Sequence, residues 1–523
     1  MMKELVTAAL PYANGTLHLG HLMSTYLPAD VYARYCRLRG RETAFICATD
    51  EHGTAIEINA EKAGKPPQEF VAEFHEQQLK DFKSALIEFD EFHHTDSPEN
   101  HELTREFHEK LGEYFYEKEI TQTYCPKCER VLPDRYVKGK CPNCGAEDQY
   151  GDGCEKCGKT YSTSDLLEPR CAVCGTHPEH RSSKHLFFCL TSFKDFLSKW
   201  FQENKELQRD VINYVKNWLP ELQDWDVTRD GPYFGVPIPG RPNQYFYVWF
   251  DAPIGYVSST KHHFKELGDW WNGGARISHF IGKDIIYHHY LFWPAMLKGA
   301  GFALPARIPT RGHLNMASGE KMSKSRGTLV TICEAVQKTD PEYLRYYLTA
   351  ITPNSTADIN FSWDELKTKT NNELIDAYGN LVYRVLSFAY SKTNGVPEKS
   401  VEKNEDKEFE AKIPRFLQEA ANHYDAVELK RSLESCMAFA GECNKYFNDR
   451  APWKLLKEKP EEAKTVLHNA CRAVYVLSVA LHPVLPASTK KVFAWLNEEP
   501  KWEDCLTVRQ INKPEVLYQK IEY

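Results

Sequence analysis

The sequence predicts an α/β protein: a doubly wound parallel sheet, interrupted by a cysteine-rich insertion and followed by a helical domain. Three observations carry this. Residues 5–48 alternate apolar runs and helical periodicity in βαβ order. Eight cysteines gather as four Cys-x-x-Cys pairs between Cys125 and Cys174. Beyond about Ser362 the chain reads as mostly helical, with apolar residues recurring at three- and four-residue spacing.

Each element follows in order. Leu5 to Leu10 reads as a strand, Pro11 to Gly15 as a turn, and His21 to Leu38 as a helix stopped by Gly40. Thr43 to Ala48 reads as a second strand. Strands joined this way are parallel with helices on their faces. Ligands of such sheets bind beyond the carboxyl ends of the strands, which is where Tyr12 to His21 and Thr49 to Gly53 fall. From about Tyr116 to Pro232 the cysteine pairs, glycines and prolines break the pattern. Strands return at Tyr245 to Trp249 and at Ile277 to Ile281, the latter leading into Gly282-Lys283-Asp284. Leu374, Tyr378, Leu381, Val385 and Phe388 then mark one buried helical face. Ser391 to Lys407 reads as a loop, Ala420 to Tyr446 and Ala463 to Leu481 as helices. The expected division is residues 1–115 and 233–312 for the two halves of the sheet domain, 116–232 for the insertion, 313–365 for a linker and 366–523 for the helical domain.

The chain has 523 residues and a formal net charge of −8. That balance argues against a sequence-independent nucleic-acid binder, which needs broad basic faces, and leaves room for local basic patches. The Met-Met-Lys-Glu start carries no apolar signal region. The longest apolar stretch, near Ala473 to Ala487, is broken by His482 and Pro483 and is too short to span a bilayer. A cytoplasmic protein with no membrane partner is expected. The unpaired cysteines (Cys36, Cys47, Cys189, Cys333, Cys436, Cys443, Cys471, Cys505) are expected to be reduced and buried.

Two motifs point to phosphate chemistry. His18-Leu19-Gly20-His21 sits between a strand and a helix. There the unpaired N–H groups of a helix start attract phosphate, Gly20 admits close approach, and two imidazoles one turn apart can donate to a phosphoryl group. Read alone, the pair is equally a metal-ligand or surface pair. Lys321-Met322-Ser323-Lys324-Ser325 occupies a polar loop that can carry lysines onto ATP phosphates; read alone it is a solvated basic loop. The pairs Cys125/Cys128, Cys141/Cys144, Cys154/Cys157 and Cys171/Cys174 supply ligands for one or two tetrahedral four-thiolate zinc sites of the closed, structural kind. Redox dithiols are the alternative, disfavoured by the clustering of all four pairs in a loop-rich segment. Spacing leaves open whether the pairs combine sequentially or nested.

Taken together, His-Leu-Gly-His after Pro-Tyr-Ala-Asn-Gly and Lys-Met-Ser-Lys-Ser some 300 residues later resemble the class I aminoacyl-tRNA synthetases. Leu19 replaces the more usual Ile. Ala9 to Gly15, Tyr247 to Tyr256, His279 to Asp284 and Ala451-Pro452-Trp453-Lys454 are similar to the methionyl members, and the resemblance covers nearly the whole chain. It implies a Rossmann-like doubly wound parallel sheet with a zinc-knuckle insertion, followed by an α-helical bundle domain. It also implies a ligase that forms methionyl-adenylate from L-methionine and ATP and transfers it to tRNA(Met).

The resemblance further implies roles. His18, His21, Lys321 and Lys324 would be catalytic. Asn14, Gly20, Gly282, Asp284 and Lys324 would bind ATP, with magnesium. Leu10, Tyr12, Trp249, Ala252, Pro253, Tyr256, Ile285 and His289 would line the methionine pocket, and Asp50 would hold the ammonium group. Aromatic walls suit a polarizable thioether, although aromatics at strand ends are commonly plain core. Asn380, Arg384 and Trp453 would read the anticodon. The nested cysteine pairing is the one the resemblance implies: Cys141, Cys144, Cys154 and Cys157 for a first zinc, Cys125, Cys128, Cys171 and Cys174 for a second. Many members carry a further C-terminal tRNA-binding and dimerisation domain; the chain ends at Tyr523 without room for it, so a monomer is expected.

Competing readings differ in specific features. Leucyl, isoleucyl and valyl synthetases carry a much larger editing insertion, and the cysteinyl type places zinc in its substrate pocket. Small-molecule nucleotidyltransferases share His-x-Gly-His but lack a helical C-terminal domain. A zinc-ribbon RNA-binding scaffold would have no use for the lysine loop.

Overall fold

The computed structural model describes residues 2–133, 136–151, 153–154, 156–159, 161, 163–317 and 329–522. At its centre is a five-stranded, wholly parallel sheet in the order Thr310–Arg311, Ala275–Gly282, Lys3–Ala8, Glu42–Thr49, Glu91–His94. The long strands are buried along most of their length, including the polar Glu4, Thr7, Ser278 and His279, because helices pack on both faces. Lys3–Ala8 sits mid-sheet, so the loop after it and the loops after Glu42–Thr49 and Ala275–Gly282 share one edge. This is the crevice expected for a ligand.

The helix after the first strand runs from Leu19 to Leu38, with a π-helical stretch at Leu22–Tyr26. A second π-stretch, His288–Phe292, follows the strand Ala275–Gly282. Wide turns of this kind concentrate at functional sites, and here both flank the crevice. Gly40, at φ +71°, turns the chain back into Glu42–Thr49.

The insertion is an antiparallel ribbon, Phe115–Cys125 against Glu179–Phe188, with a small sheet (Gln149–Tyr150, Val137–Lys140, Leu167–Cys171) at its far end. After Trp363 the described chain is helical to Leu496 apart from short connections, and Leu374, Tyr378, Leu381 and Val385 are all buried. No described helix is long and apolar enough to cross a membrane.

Three local expectations are corrected. Tyr245 to Trp249 is not one strand: the strand is Gln244–Phe246, and Val248–Asp251 is a helical turn. The aromatic and β-branched run has strand propensity, but the Val248 N–H donates to Tyr233 Oη (3.0 Å) and turns Trp249 toward the crevice. The helix read over Ala420 to Tyr446 is two helices, Asn404–Asp425 and Leu429–Arg450, broken where Val427 takes φ +59°. No glycine or proline marks that break. Of the eight scattered cysteines, Cys36, Cys47, Cys436, Cys443 and Cys471 are buried, Cys189 and Cys505 are half-buried, and Cys333 is exposed.

Candidate active site and metal centres

A cavity of about 420 Å³ opens at the carboxyl edge of the sheet, and Leu10, Tyr12, Asp50, Trp249, Ala252, Pro253, Tyr256, Ile285 and His289 all line it. So do His21, Gly282 and Asp284, together with Ser24, Thr25 and Tyr26 from the π-helical stretch, which no sequence motif singles out. Three of the contributing segments follow the parallel strands Lys3–Ala8, Glu42–Thr49 and Ala275–Gly282, and a fourth, carrying Trp249 to Tyr256, follows Gln244–Phe246 outside that sheet; the fold converges them.

Asp50 is a buried carboxylate among the apolar walls, and its Oδ1 has no hydrogen-bond partner. Burial, then the neighbouring Asp251 carboxylate, push its carboxyl well above the usual range. A buried acceptor left open in this way is costly unless something else fills it. Tyr256 donates to His289 Nε2 (2.8 Å), and His289 Nδ1 lies 3.1 Å from the Ile285 carbonyl. The carbonyl can only accept, so Nδ1 carries the ring proton and Nε2 receives the phenol. Burial holds His289 down to about 4, hence neutral. Trp249 stacks on His288 at 3.7 Å between centroids. Gly255 leaves room for Leu10 in the wall, since a Cβ on it would lie 2.6 Å from Leu10 Cδ2 and push that side chain aside.

His18 caps the helix. Its Nδ1 accepts from the Gly20 N–H (3.1 Å), and its own N–H reaches His21 Nδ1 (3.4 Å). With both Nδ1 atoms used as acceptors, each neutral ring carries its proton on Nε2. The rings stack at 3.7 Å. Burial, then the His21 ring, push His18 down to about 3; the crowded cleft shifts His21 in the same direction although its own ring is exposed. The pair is therefore two uncharged N–H donors beside the cavity. A Cβ on Gly20 would meet the His18 ring at 2.9 Å, and one on Gly282 would meet Asp284 Oδ1 at 2.6 Å. Asn14 does not line the cavity; its Oδ1 accepts from Asn59 Nδ2. Lys321 and Lys324 lie outside the described residues. The chain following them returns beside the motif: Leu19 N–H donates to Val330 O (3.0 Å), and His18 bridges Thr331.

The eight paired cysteines form two clusters, and the nesting is resolved. Cys125, Cys128, Cys171 and Cys174 converge at one, and Cys141, Cys144, Cys154 and Cys157 at the other, with all sulfurs of each set within 4.8 Å of one another. Contacts of 3.4 Å (Cys125–Cys174), 3.8 Å (Cys128–Cys171), 3.8 Å (Cys141–Cys157) and 3.6 Å (Cys144–Cys154) approach the ~3.8 Å edge of a tetrahedron with Zn–S of about 2.3 Å. Both donor sets fit a closed four-thiolate ion.

In the helical region, Asn380 and Arg384 are exposed on one helix face. The Arg384 guanidinium donates to Asn448 Oδ1 (2.6 Å) and lies 5.6 Å from the Phe447 ring. Trp453, 38% exposed, packs on the same ring at 5.8 Å. Arg384 and Trp453 thus flank one aromatic residue, with Asn380 one turn away.

The family profile described as tRNA synthetases class I (M) matches residues 4–386, and that of the anticodon binding domain of methionyl tRNA ligase matches 396–523. The methionine–tRNA ligase of Methanopyrus kandleri is 43% identical, over 100% of this chain and 80% of the relative. Those of Archaeoglobus fulgidus (42%, over 99% of this chain and 80% of the relative) and Myxococcus xanthus (41%, over 99% and 76%) are comparably similar. The structure of Mycobacterium tuberculosis methionyl-tRNA synthetase bound by methionyl-adenylate superposes with a TM-score of 0.81 at 25% identity, covering 99% of this chain and 100% of that one.

Proposed function

The chain belongs to the class I tRNA synthetases of the methionyl type, and on that footing we propose how its residues act as a methionine–tRNA ligase. The observation that carries the reading is Asp50, a buried carboxylate with an open oxygen in a cavity walled by Leu10, Trp249, Pro253 and Tyr256. An amino acid with an apolar thioether needs this combination: one buried anion for its ammonium group, and aromatic and aliphatic walls for its side chain.

The methionine carboxylate is ionised near neutral pH and needs no base. It attacks the α-phosphate of ATP, the bond to the β-phosphate breaks, and pyrophosphate leaves. The protein's part is positioning and charge stabilisation. His18 and His21 present Nε2–H donors to the α-phosphate oxygens as negative charge builds. Gly282 lets adenosine approach, Asp284 accepts from a ribose hydroxyl, and Gly20 and Asn14 border the nucleotide. Lys321 and Lys324 are assigned to the departing pyrophosphate. Magnesium bound with ATP would neutralise part of the phosphate charge. A ribose hydroxyl of the tRNA's 3′-terminal adenosine then attacks the carbonyl carbon of the adenylate, forming the ester as the bond from that carbon to the phosphate oxygen breaks; AMP leaves with the electron pair and the hydroxyl proton is released. We place the reaction in the cytoplasm, where reduced cysteines persist.

The test is amino-acid-dependent ATP–pyrophosphate exchange with all twenty amino acids assayed separately. Exchange with methionine alone is expected. Exchange with another amino acid would overturn the pocket assignment, and none at all would overturn the activation chemistry.

Two further results are expected. Elemental analysis of freshly purified protein should return two zinc ions per chain. One ion would remove a cluster from the metal reading, and zero would end it. Trp453→Ala should lower the rate of tRNA charging several-fold or more while sparing pyrophosphate exchange, since a stacked base contributes about 1–3 kcal/mol. Equal charging by variant and parent would remove Trp453 from the anticodon surface.

A further inference from the structure

Beneath the cavity, two of its walls are tied by a fully buried ion pair. His52 Nδ1 lies 2.6 Å from Asp251 Oδ2, and both side chains are 0% exposed. On the other side of the ring, Nε2 faces Asp96 Oδ1 at 3.5 Å, and Asp96 is itself held by His101 Nε2 at 3.1 Å. His52 stands two residues from Asp50 on the same strand-end loop. Asp251 ends the helical turn that carries Trp249 and precedes Ala252 and Pro253. Asn100 anchors that turn further, its Nδ2 lying 3.5 Å from the Asp251 carbonyl while its Oδ1 accepts from Ser258 Oγ (2.9 Å).

The arrangement also balances charge. Two buried carboxylates, Asp50 and Asp251, each keep one oxygen without a partner. Two anions in one dry site disfavour each other's ionisation. Burial alone would strip the His52 proton, but Asp251 and then Asp96 reverse this and push its pKa up to about 10. Also facing this centre are Glu51, paired with His94 at 3.1 Å, the phenols of Tyr12, Tyr233 and Tyr256, held neutral by burial, and the Arg229 guanidinium, whose charge reaches Tyr233.

We infer that His52 is a positioning residue for amino-acid binding: clasped by Asp251 and Asp96, it fixes the two walls of the pocket and supplies the positive charge that lets Asp50 meet the substrate ammonium as an anion. This rests on the reading that Asp50 receives that ammonium. Without the imidazolium, Asp251 stands uncompensated, Asp50 holds its proton to higher pH, and the amino acid must compete with that proton. ATP, bound on the His18–His21 and Asp284 side, does not share the penalty.

The test is the pH dependence of KM for methionine, KM for ATP and kcat in pyrophosphate exchange, for the full chain and for His52→Gln, Asp96→Asn and Asp50→Asn. His52→Gln should raise the methionine KM about tenfold or more at neutral pH, one pKa unit being a factor of ten. It should displace the profile to the alkaline side and leave the ATP KM unchanged. Asp96→Asn, at the outer and partly exposed end, should shift the profile the same way by less, and decides the matter if His52→Gln does not fold. A folded His52→Gln with an unmoved methionine profile overturns the inference. So does a parallel loss in both KM values and kcat with no pH displacement, which a purely structural role would give. If Asp50→Asn leaves the methionine KM unchanged, the Asp50 assignment itself falls. If Asp50→Asn raises it and neither His52→Gln nor Asp96→Asn does, only the role of His52 falls.

Discussion

Asp50→Asn should nearly abolish methionine-dependent pyrophosphate exchange while leaving the folded protein at least as stable as the parent. The two effects share one cause. Asp50 is buried, one of its oxygens is open, and its carboxyl is raised well above the usual range by burial and then by Asp251. An unfolded Asp titrates near about 3.9. Above that pH the unfolded chain is ionised here while the folded chain resists ionisation, so the residue opposes folding through the neutral range. The near-isosteric amide removes this cost, and the melting temperature should hold or rise. For the substrate the sign reverses. Losing one member of a buried charge pair costs about 2–5 kcal/mol, which corresponds to a fall of roughly thirty- to several-thousand-fold in kcat/KM for methionine. The raised carboxyl also means that parent affinity for methionine should weaken as pH falls, beginning above the usual carboxylate range, because proton and ammonium compete for one anion. Thermal melts paired with exchange kinetics at several methionine concentrations check both. An active variant, or an inactive one that has lost stability, would refute the account.

Much of this site is legible in the order of the residues. The βαβ pattern of residues 5–48 predicts the parallel sheet, and the strand-end rule puts Tyr12 and Asp50 at one crevice. The nine proposed methionine-pocket residues follow from resemblance, and the fold gathers all of them around one cavity. Cys-x-x-Cys spacing announces metal-binding clusters but not their partners, because pairing depends on how the Phe115–Cys125 and Glu179–Phe188 ribbon closes. What stays hidden has physical reasons. The break at Val427 carries no glycine or proline, so periodicity runs through it. The strand propensity of Tyr245 to Trp249 is overridden by a tertiary hydrogen bond from the Val248 N–H to Tyr233. His52 lies within a segment that reads as a strand end, yet its partner Asp251 is 199 positions away, and no local pattern links them.

Arg345→Met should destabilise the protein by about 3–5 kcal/mol, the usual cost of breaking a buried ion pair from one side. Arg345 is 0% exposed and joins two parts of the molecule. Its guanidinium donates to Asp30 Oδ2 (2.7 Å) on the first long helix and to the Leu86 carbonyl (3.1 Å) beside the sheet. It also donates to the Val484 (2.8 Å) and Pro483 (3.0 Å) carbonyls at the end of helix Pro460–Leu481. Met conserves the apolar stem and much of the volume, so the loss isolates the charge and its hydrogen bonds. Asp30 keeps Arg34 at 2.8 Å and the Leu86 carbonyl keeps its bond from Arg34 at 3.0 Å, but the Val484 and Pro483 carbonyls lose the guanidinium. Burial pushes the Asp30 carboxyl up, and Arg34 and Arg345 more than reverse it, so it titrates below its ordinary value. The stability it contributes is present above the unfolded carboxylate pKa and is lost as pH falls through the lower folded value. The parent should therefore lose stability on acidification along a limb that is shallower in Arg345→Met. Because these bonds hold the C-terminal helices, with Arg384 and Trp453, against the sheet that carries the proposed adenylate site, tRNA charging should fall more than pyrophosphate exchange at temperatures where the variant is still folded. Equal losses in both assays would mean that Arg345 holds the fold together without setting the distance between the two sites.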